Sequence, residues 1–288
     1  MCRGSEVDVG QALSGLPGRP DKAGPTRRSK TQVNLDAYLQ RIGYSGGLEP
    51  SRDVLHALHL AHATHIPFEN LDVLLGRPIR LDLESLQAKL VAGRRGGYCF
   101  EHNLLFASVL EQIGFTVTRL AARVRYRTSQ RLPRTHMTLM VDVDGTNWLA
   151  DVGFGADGLL LPVPLGSGLE STQFAWTYRV SSSGANWMLQ SLRESGWADL
   201  YEFTLEPQHQ VDYEMANHFT STFPESRFVK MLTVQSMTTE AKTALRNREL
   251  TVDEGAATTM RTLADDAEVL AVLEQTFGLR VPADIKLP

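Results

Sequence analysis

The chain has 288 residues, 42% hydrophobic and 22% charged, with a formal net charge of −4 and a pI of about 6.1. That is enough apolar content to bury a sizeable core, and the acidic balance argues against a globally basic surface for nucleic acid or anionic membrane. Two cysteines, Cys2 and Cys99, are too few for a disulfide framework, no apolar run reaches the roughly 18 residues of a membrane span, and the reading is a cytoplasmic protein.

The first 30 residues are rich in Gly, Pro and charge and lack the apolar stretch of a signal peptide, so they read as a mobile tail that says nothing about fold. From Val33 to about Gly114 the periodicity is helical. NLDAYLQRIGY opens on Asn34 as N-cap, places Leu35, Tyr38, Leu39 and Ile42 on one face, and stops at Gly43. EPSRDVLHALHLAHATHIP opens at Pro50 or Ser51 and closes at Pro67. LDLESLQAKLVAG ends at Gly93, and a fourth helix runs from about Cys99 to Ile113, with Phe106, Val109, Leu110 and Ile113 spaced for one face.

After Gly114 the pattern alternates. FTVTRLAARVRY, HMTLMVDV and NWLADV read as strands, the last two joined by a hairpin turn at Asp144-Gly145. WTYRVSSSGANWMLQSL and SGWADLYEFTL add strands up to about residue 205, giving an antiparallel sheet or small barrel. EPQHQVDYEMANHF then reads as helix, FVKMLTVQSM as strand, and ADDAEVLAVLEQTFGL as a final helix. Helices, then strands, then a mixed segment make an α+β protein rather than a βαβ series.

GFGADG (153–158) spells G-x-G-x-x-G, but Pro162 and Pro164 forbid the helix that a dinucleotide loop must open. His56, His59, His62 and His65 recur every third residue. Each step of three falls about 60° short of a turn, so the set fans around the helix instead of converging on one ion, and a solvated face is expected.

Cys99, in GRRGGYCFEHN (93–103), is the candidate nucleophile. At a helix start, unpaired N–H groups and the positive end of the dipole favour a thiolate and can hold an oxyanion. Gly96-Gly97 permit a tight approach that exposes that turn. The competing reading is a small buried hydrophobe. A thiolate needs a base, and the base an orienter. His136 opens one strand and Asp151 closes its hairpin partner, and a turn at Asp144-Gly145 puts the two at the same open end. An Asp there would hold Nδ1–H of the imidazole and leave Nε2 facing the thiol.

These segments together resemble the arylamine N-acetyltransferases: RGGYCFEHN with Cys99, THMTLMV with His136, DVGFG with Asp151, IPFENLDVLLGRPI (66–79) and, more loosely, TSTFPESRF (220–228). The resemblance spans about residues 34–288. It implies a helical bundle carrying the nucleophile (34–114), an antiparallel β-barrel carrying His and Asp (115–222) and a C-terminal α/β lid (223–288), behind a tail (1–33), around a papain-like Cys-His-Asp core. It implies a triad of Cys99, His136 and Asp151, acetyl-CoA as co-substrate without a metal, and two-step transfer of acetyl to an arylamine, hydrazine or hydroxylamine. These small molecules are then the expected partners, with no nucleic acid and no membrane. An amide synthase, transglutaminase or peptidase on the same core is the competing chemistry, and a non-catalytic module the competing class.

On this resemblance Gly153 and Gly155 give the thioester arm room near Asp151, and Ser226 matches a position near the cofactor. Phe68, Phe154 and Tyr98 flank the motifs and read equally as walls for a flat acceptor or as core, the two Phe ahead of Tyr98. Glu69 and Arg95 are expected to pair and fix the nucleophile loop. Arg123, Arg125, Arg127, Arg131 and Arg134 either meet the phosphates of CoA or form a solvated hairpin loop.

Overall fold

Local caps set the helices where the sequence places them. Asn34 caps α1 (Leu35–Ile42), its side chain accepting from Ala37 N, and Gly43 ends it at φ 67°. Ser51 caps α2 (Arg52–His65) by accepting from Val54 N. A two-residue strand β1 (Phe68–Glu69) and the short α3 (Leu71–Leu74) follow. Next, α4 (Leu83–Leu86) runs into a widened π-type turn, Gln87–Ala92. The central helix α5 spans Cys99–Ile113. The computed structural model describes residues 32–128, 130–155, 157–166 and 168–281, together with Met1. The expected tail therefore lies outside the described residues except at its two ends. Val33 is buried, exchanging two hydrogen bonds with the side chain of Gln112.

Helix α5 differs from the one-face expectation. Residues from Cys99 to Ala107 are buried all round, because α1, α2 and the first sheet enclose it. A helix apolar around most of its circumference belongs at the centre of a core.

The first sheet takes eight antiparallel strands: β2 (Thr116–Val124), β3 (His136–Val143), β4 (Thr146–Ala150), β5 (Val163–Pro164), β6 (Glu170–Gln173), β7 (Trp176–Ser183), β8 (Asn186–Arg193) and β9 (Gly196–Phe203), in the order β5-β4-β3-β2-β9-β8-β7-β6. Contact between β5 and β7 brings the sheet nearly to closure as a barrel. The β3–β4 hairpin has the expected register: Val143 faces Thr146 and Leu139 faces Ala150 around a turn in which Asp144 and Gly145 both take positive φ.

Helices α6 (Gln210–Thr222) and α7 (Arg227–Lys230) lead to a second sheet of β10 (Thr233–Met237), β11 (Lys242–Arg246), β12 (Glu249–Asp253) and β13 (Thr258–Thr262), closed by α8 (Asp266–Gln275). Only the later part of FVKMLTVQSM is strand, since Arg227–Lys230 coils behind its cap, Ser226. The edge strand of the second sheet is β1, from far earlier in the chain: Phe68 pairs with Gln235 and Glu69 with Val234. The PFEN segment thus joins the second sheet to the nucleophile loop, because Phe68 also bridges Gly97. Among the described residues, no helix is long and apolar enough to cross a membrane.

Candidate active site

The loop before Cys99 is shaped by close backbone approach. A Cβ on Gly96 would lie 1.9 Å from Pro67 O, and one on Gly97 would lie 2.6 Å from the Glu101 carboxylate. Glu69 N donates to Gly97 O at 2.8 Å. Gly96 therefore lets the loop dock on the segment entering β1 and Gly97 makes room for the Glu101 carboxylate, which is a different reason from exposing the first helical turn. The expected Glu69–Arg95 pair is present. Arg95 Nε and Nη2 donate to Oε1 of the fully buried Glu69 carboxylate at 2.9 and 2.7 Å, and Oε2 accepts from Leu71 N. The network continues through Asp72 to Lys89, and from Lys89 to Glu101 at 2.8 Å. Glu101 in turn accepts from Tyr98 N, the N-cap of α5.

Cys99 is the first residue of α5 and 4% exposed, with Sγ 3.7 Å from Thr135 O. His136 and Asp151 are buried, and Nε2 of His136 donates to Asp151 Oδ2 at 2.6 Å. The expected tautomer is thus reversed: the carboxylate takes Nε2 and leaves Nδ1 for the thiol. Burial opposes charge on His136, but the adjacent Asp151 carboxylate outweighs it and the Cys99 side chain adds to it, so the imidazolium is favoured. Burial likewise opposes charge on Asp151, and His136, Asn103 and Gly153 N–H together hold its carboxyl below the usual range. Cys99 and His136 open onto one cavity of about 550 Å³, which Phe68, Gly153, Phe154 and Ser226 also line.

Other expected residues fall elsewhere. Tyr98 is fully buried and bonds through its hydroxyl to Asn217, away from the cavity. The room left by Gly153 is filled by protein: a Cβ there would lie 2.8 Å from Cys99 Cα. Gly155, at φ 92°, faces Gln235, whose Oε1 stands 1.7 Å from where a Cβ would be. Ser226 Oγ donates to Thr220 O at 2.6 Å and accepts from Phe228 N. Of the arginine run, Arg123 and Arg125 engage Glu202, and Arg134 engages Glu206. Arg127 lies over the Tyr126 ring.

The histidines do not form a solvated face. His59 and His62 are completely buried. His59 Nδ1 donates to Leu160 O at 2.9 Å, which leaves Nε2 to accept from Asp151 N at 3.0 Å. His102 donates to Pro67 O, so its Nδ1 accepts from His62 Nε2, whose Nδ1 accepts from Tyr38 OH. One chain of defined tautomers thereby runs from α1 to Pro67, the residue on which Gly96 docks. Periodicity could not find it, since the partners lie far along the sequence.

Among the residues that sequence reasoning missed, an aromatic and basic group comes from after residue 218. Phe219, Phe223 and Phe228 line the cavity, with Phe219 and Phe223 stacked at 4.6 Å between centroids, and Arg227 and Arg246 bring positive charge to its wall. Their spacing carries no signal until α6 and the second sheet are folded against the barrel.

Known proteins share this sequence pattern and fold. The family model described as N-acetyltransferase matches residues 51–286. The arylamine N-acetyltransferase of Escherichia coli K12 is 42% identical over 250 residues, 86% of this chain and 89% of that protein. The solved structure of the M. tuberculosis arylamine N-acetyltransferase has a TM-score of 0.82 and 40% identity, covering 85% of this chain and 93% of its own. That of the Mycobacterium marinum arylamine N-acetyltransferase in complex with CoA has a TM-score of 0.81 and 38% identity, covering 85% and 92%. With likeness at this level over nearly the whole of each protein, and the fold to match, this chain belongs to the arylamine N-acetyltransferase family.

Proposed function

We propose that this protein transfers acetyl from acetyl-CoA to the nitrogen of an arylamine, arylhydrazine or arylhydroxylamine, by way of a thioester on Cys99. The observation that carries this reading is the sharing of one cavity by Cys99 and a His136 whose far nitrogen is bonded to buried Asp151. His136 takes the thiol proton on Nδ1, and the resulting thiolate attacks the acetyl-CoA carbonyl. The tetrahedral oxyanion falls against the N–H groups of the first turn of α5, which have no acceptor within the helix. Collapse breaks the bond to the CoA sulfur, and His136 returns the proton to the departing thiolate.

The exchange makes one thioester from another, so loading requires no external energy. The acceptor amine then attacks the Cys99 thioester, His136 accepts the amine proton, and the cysteine thiolate leaves. Phe68 and Phe154 offer flat apolar surface to the acceptor, and Phe219, Phe223 and Phe228 extend it. Arg227 and Arg246 on the same cavity supply the positive charge that CoA phosphates call for in a chain of net charge −4. CoA binding by the M. marinum relative supports this donor.

The test is an intact mass after mixing with acetyl-CoA and no acceptor. One acetyl group on Cys99, discharged by an arylamine, is the expected result. A free, unmodified thiol after incubation would sink the proposal and point to another acyl donor.

A further inference from the structure

We propose that Asn103 is a positioning residue that fixes where Asp151, and through it His136, stands relative to Cys99. The inference rests on the reading of those three residues as the reacting group. Asn103 lies four residues after Cys99 on α5, and so on the same face one turn further in. Its side chain is fully buried and joins three elements. Nδ2 donates to Met137 O at 2.8 Å and to Asp151 Oδ1 at 3.0 Å. Its Oδ1 accepts from Val152 N at 3.1 Å. One planar amide thus grips the residue after the base, the carboxylate that orients the base, and the residue after that carboxylate. It does so from the helix that begins with the nucleophile.

No other side chain of this size does the same. The position needs two donors on one atom, aimed at a carbonyl and a carboxylate, and an acceptor on the other, aimed at an N–H. The amide orientation follows from this, because the reversed one would press oxygen against Met137 O and Asp151 Oδ1. The contact also divides the carboxylate. Oδ1 receives Asn103 Nδ2 and Gly153 N at 3.0 and 2.9 Å, which leaves Oδ2 free to take His136 Nε2 at 2.6 Å. Without Asn103 only Gly153 N holds Oδ1, the carboxylate is freer to rotate about its Cβ–Cγ bond, and the base is less firmly directed.

Asn103→Asp keeps the shape, removes both donors and sets a second carboxylate against Asp151. Asn103→Ser removes the reach without adding charge. Each variant would be compared with the wild-type protein in two measurements. The first is the pH dependence of Cys99 alkylation by iodoacetamide, read on the Cys99 peptide so that Cys2 does not contribute. The second is single-turnover acetylation by acetyl-CoA.

Both variants are expected to show the circular dichroism of the wild type. Their alkylation and acetylation rates should fall by on the order of 10²-fold near pH 7, as for a misplaced reacting group, with the alkylation pH profile of Asn103→Asp displaced. A lowered Tm with wild-type rates and a superimposable pH profile would show a purely structural residue and overturn the inference. Because alkylation uses no acetyl-CoA, the two proposals fail separately. A wild type that alkylates but never takes acetyl removes the proposed function alone. Acetylation unchanged in both variants removes the role of Asn103 alone.

Discussion

His136 turns Nε2, rather than Nδ1, toward Asp151, with 2.6 Å between Nε2 and Oδ2. The other carboxylate oxygen already accepts from Asn103 and from Gly153 N. This division determines what Asp151→Asn does. In the variant, the amide oxygen must take the position facing those two donors, so its NH₂ faces Nε2. His136 can then only accept at Nε2, and its proton moves to Nδ1, the nitrogen turned to the thiol. On the proposed mechanism the cysteine then meets a donor where it needs a base. Single-turnover CoA release should fall by about 10⁴-fold, the loss that a reversed tautomer causes in Ser-His-Asp triads, while circular dichroism stays unchanged. A rate within tenfold of the wild type would show that the orienter is another group.

Stability should respond to pH in opposite directions through two sets of histidines. Burial pushes His59 and His102 down to about 4, and drives His62 well below the ordinary value. The unfolded chain takes up protons at these positions near the ordinary imidazole value of about 6.5. Their stabilising contribution is present above that value and is lost as pH falls toward 4. His136 is opposite. Its folded value is raised, so its contribution is complete below about 6.5 and is lost as pH rises through the folded value. Thermal melts from pH 7.5 to 4.5 should show Tm falling before most carboxylates titrate. His62→Gln should flatten that acid slope, and an unchanged slope would show that this chain of histidines does not control it.

How much of this could be read in the sequence depends on the range of the interaction. Caps act within three residues, so Asn34, Ser51 and the start of α5 at Cys99 were legible. A two-residue hairpin turn fixes register, so the approach of His136 to Asp151 was legible too. Which imidazole nitrogen meets the carboxylate was not, because it depends on how the β3 and β4 ends lie against α5. The buried histidines misled for a similar reason. A three-residue repeat reads as a solvated fan until Leu160, His102 and Tyr38 supply partners for its polar atoms. Gly153 and Gly155 read as room for a thioester arm. That Cys99, Asn103 and Gln235 take that room is a property of the tertiary fold.

Arg95→Ala should damage both stability and the nucleophile loop. The mutation leaves Glu69 buried, with its Oε1 stripped of two charged hydrogen bonds and only Leu71 N still donating to Oε2. Breaking one side of a buried pair in this way costs about 3–5 kcal/mol, in part because Asp72 also loses a cation. Urea unfolding followed by tryptophan fluorescence would measure the loss. Glu69→Gln with Arg95→Ala together should recover part of it, since the buried charge is then gone. A double variant no more stable than Arg95→Ala would show that the loop, and not the stranded carboxylate, sets the cost.

Gly153→Ala tests how tightly the Asp151 loop is pressed on the nucleophile helix. The added Cβ would lie 2.8 Å from Cys99 Cα, 3.0 Å from Cys99 O and 2.8 Å from Asn103 Nδ2. Two of those atoms are backbone in the first turn of α5 and cannot swing aside as a side-chain tip would. The loop must retreat, and it carries Asp151 and the Gly153 N–H that bonds to Oδ1. Overpacking of this kind costs about 1–3 kcal/mol, which a chain of this size tolerates. A shift of even about 1 Å at the carboxylate can lower turnover by about 10²-fold. The expected outcome is a folded protein with a modest fall in Tm and a large fall in the rate of Cys99 acetylation. Gly184→Ala, at a hairpin turn with open space around its Cβ, is the control. It carries the strain of a positive φ without touching the site, so it should lower Tm while leaving that rate unchanged. Equal rates in the two variants would mean that the Asp151 loop does not need its close seat on α5.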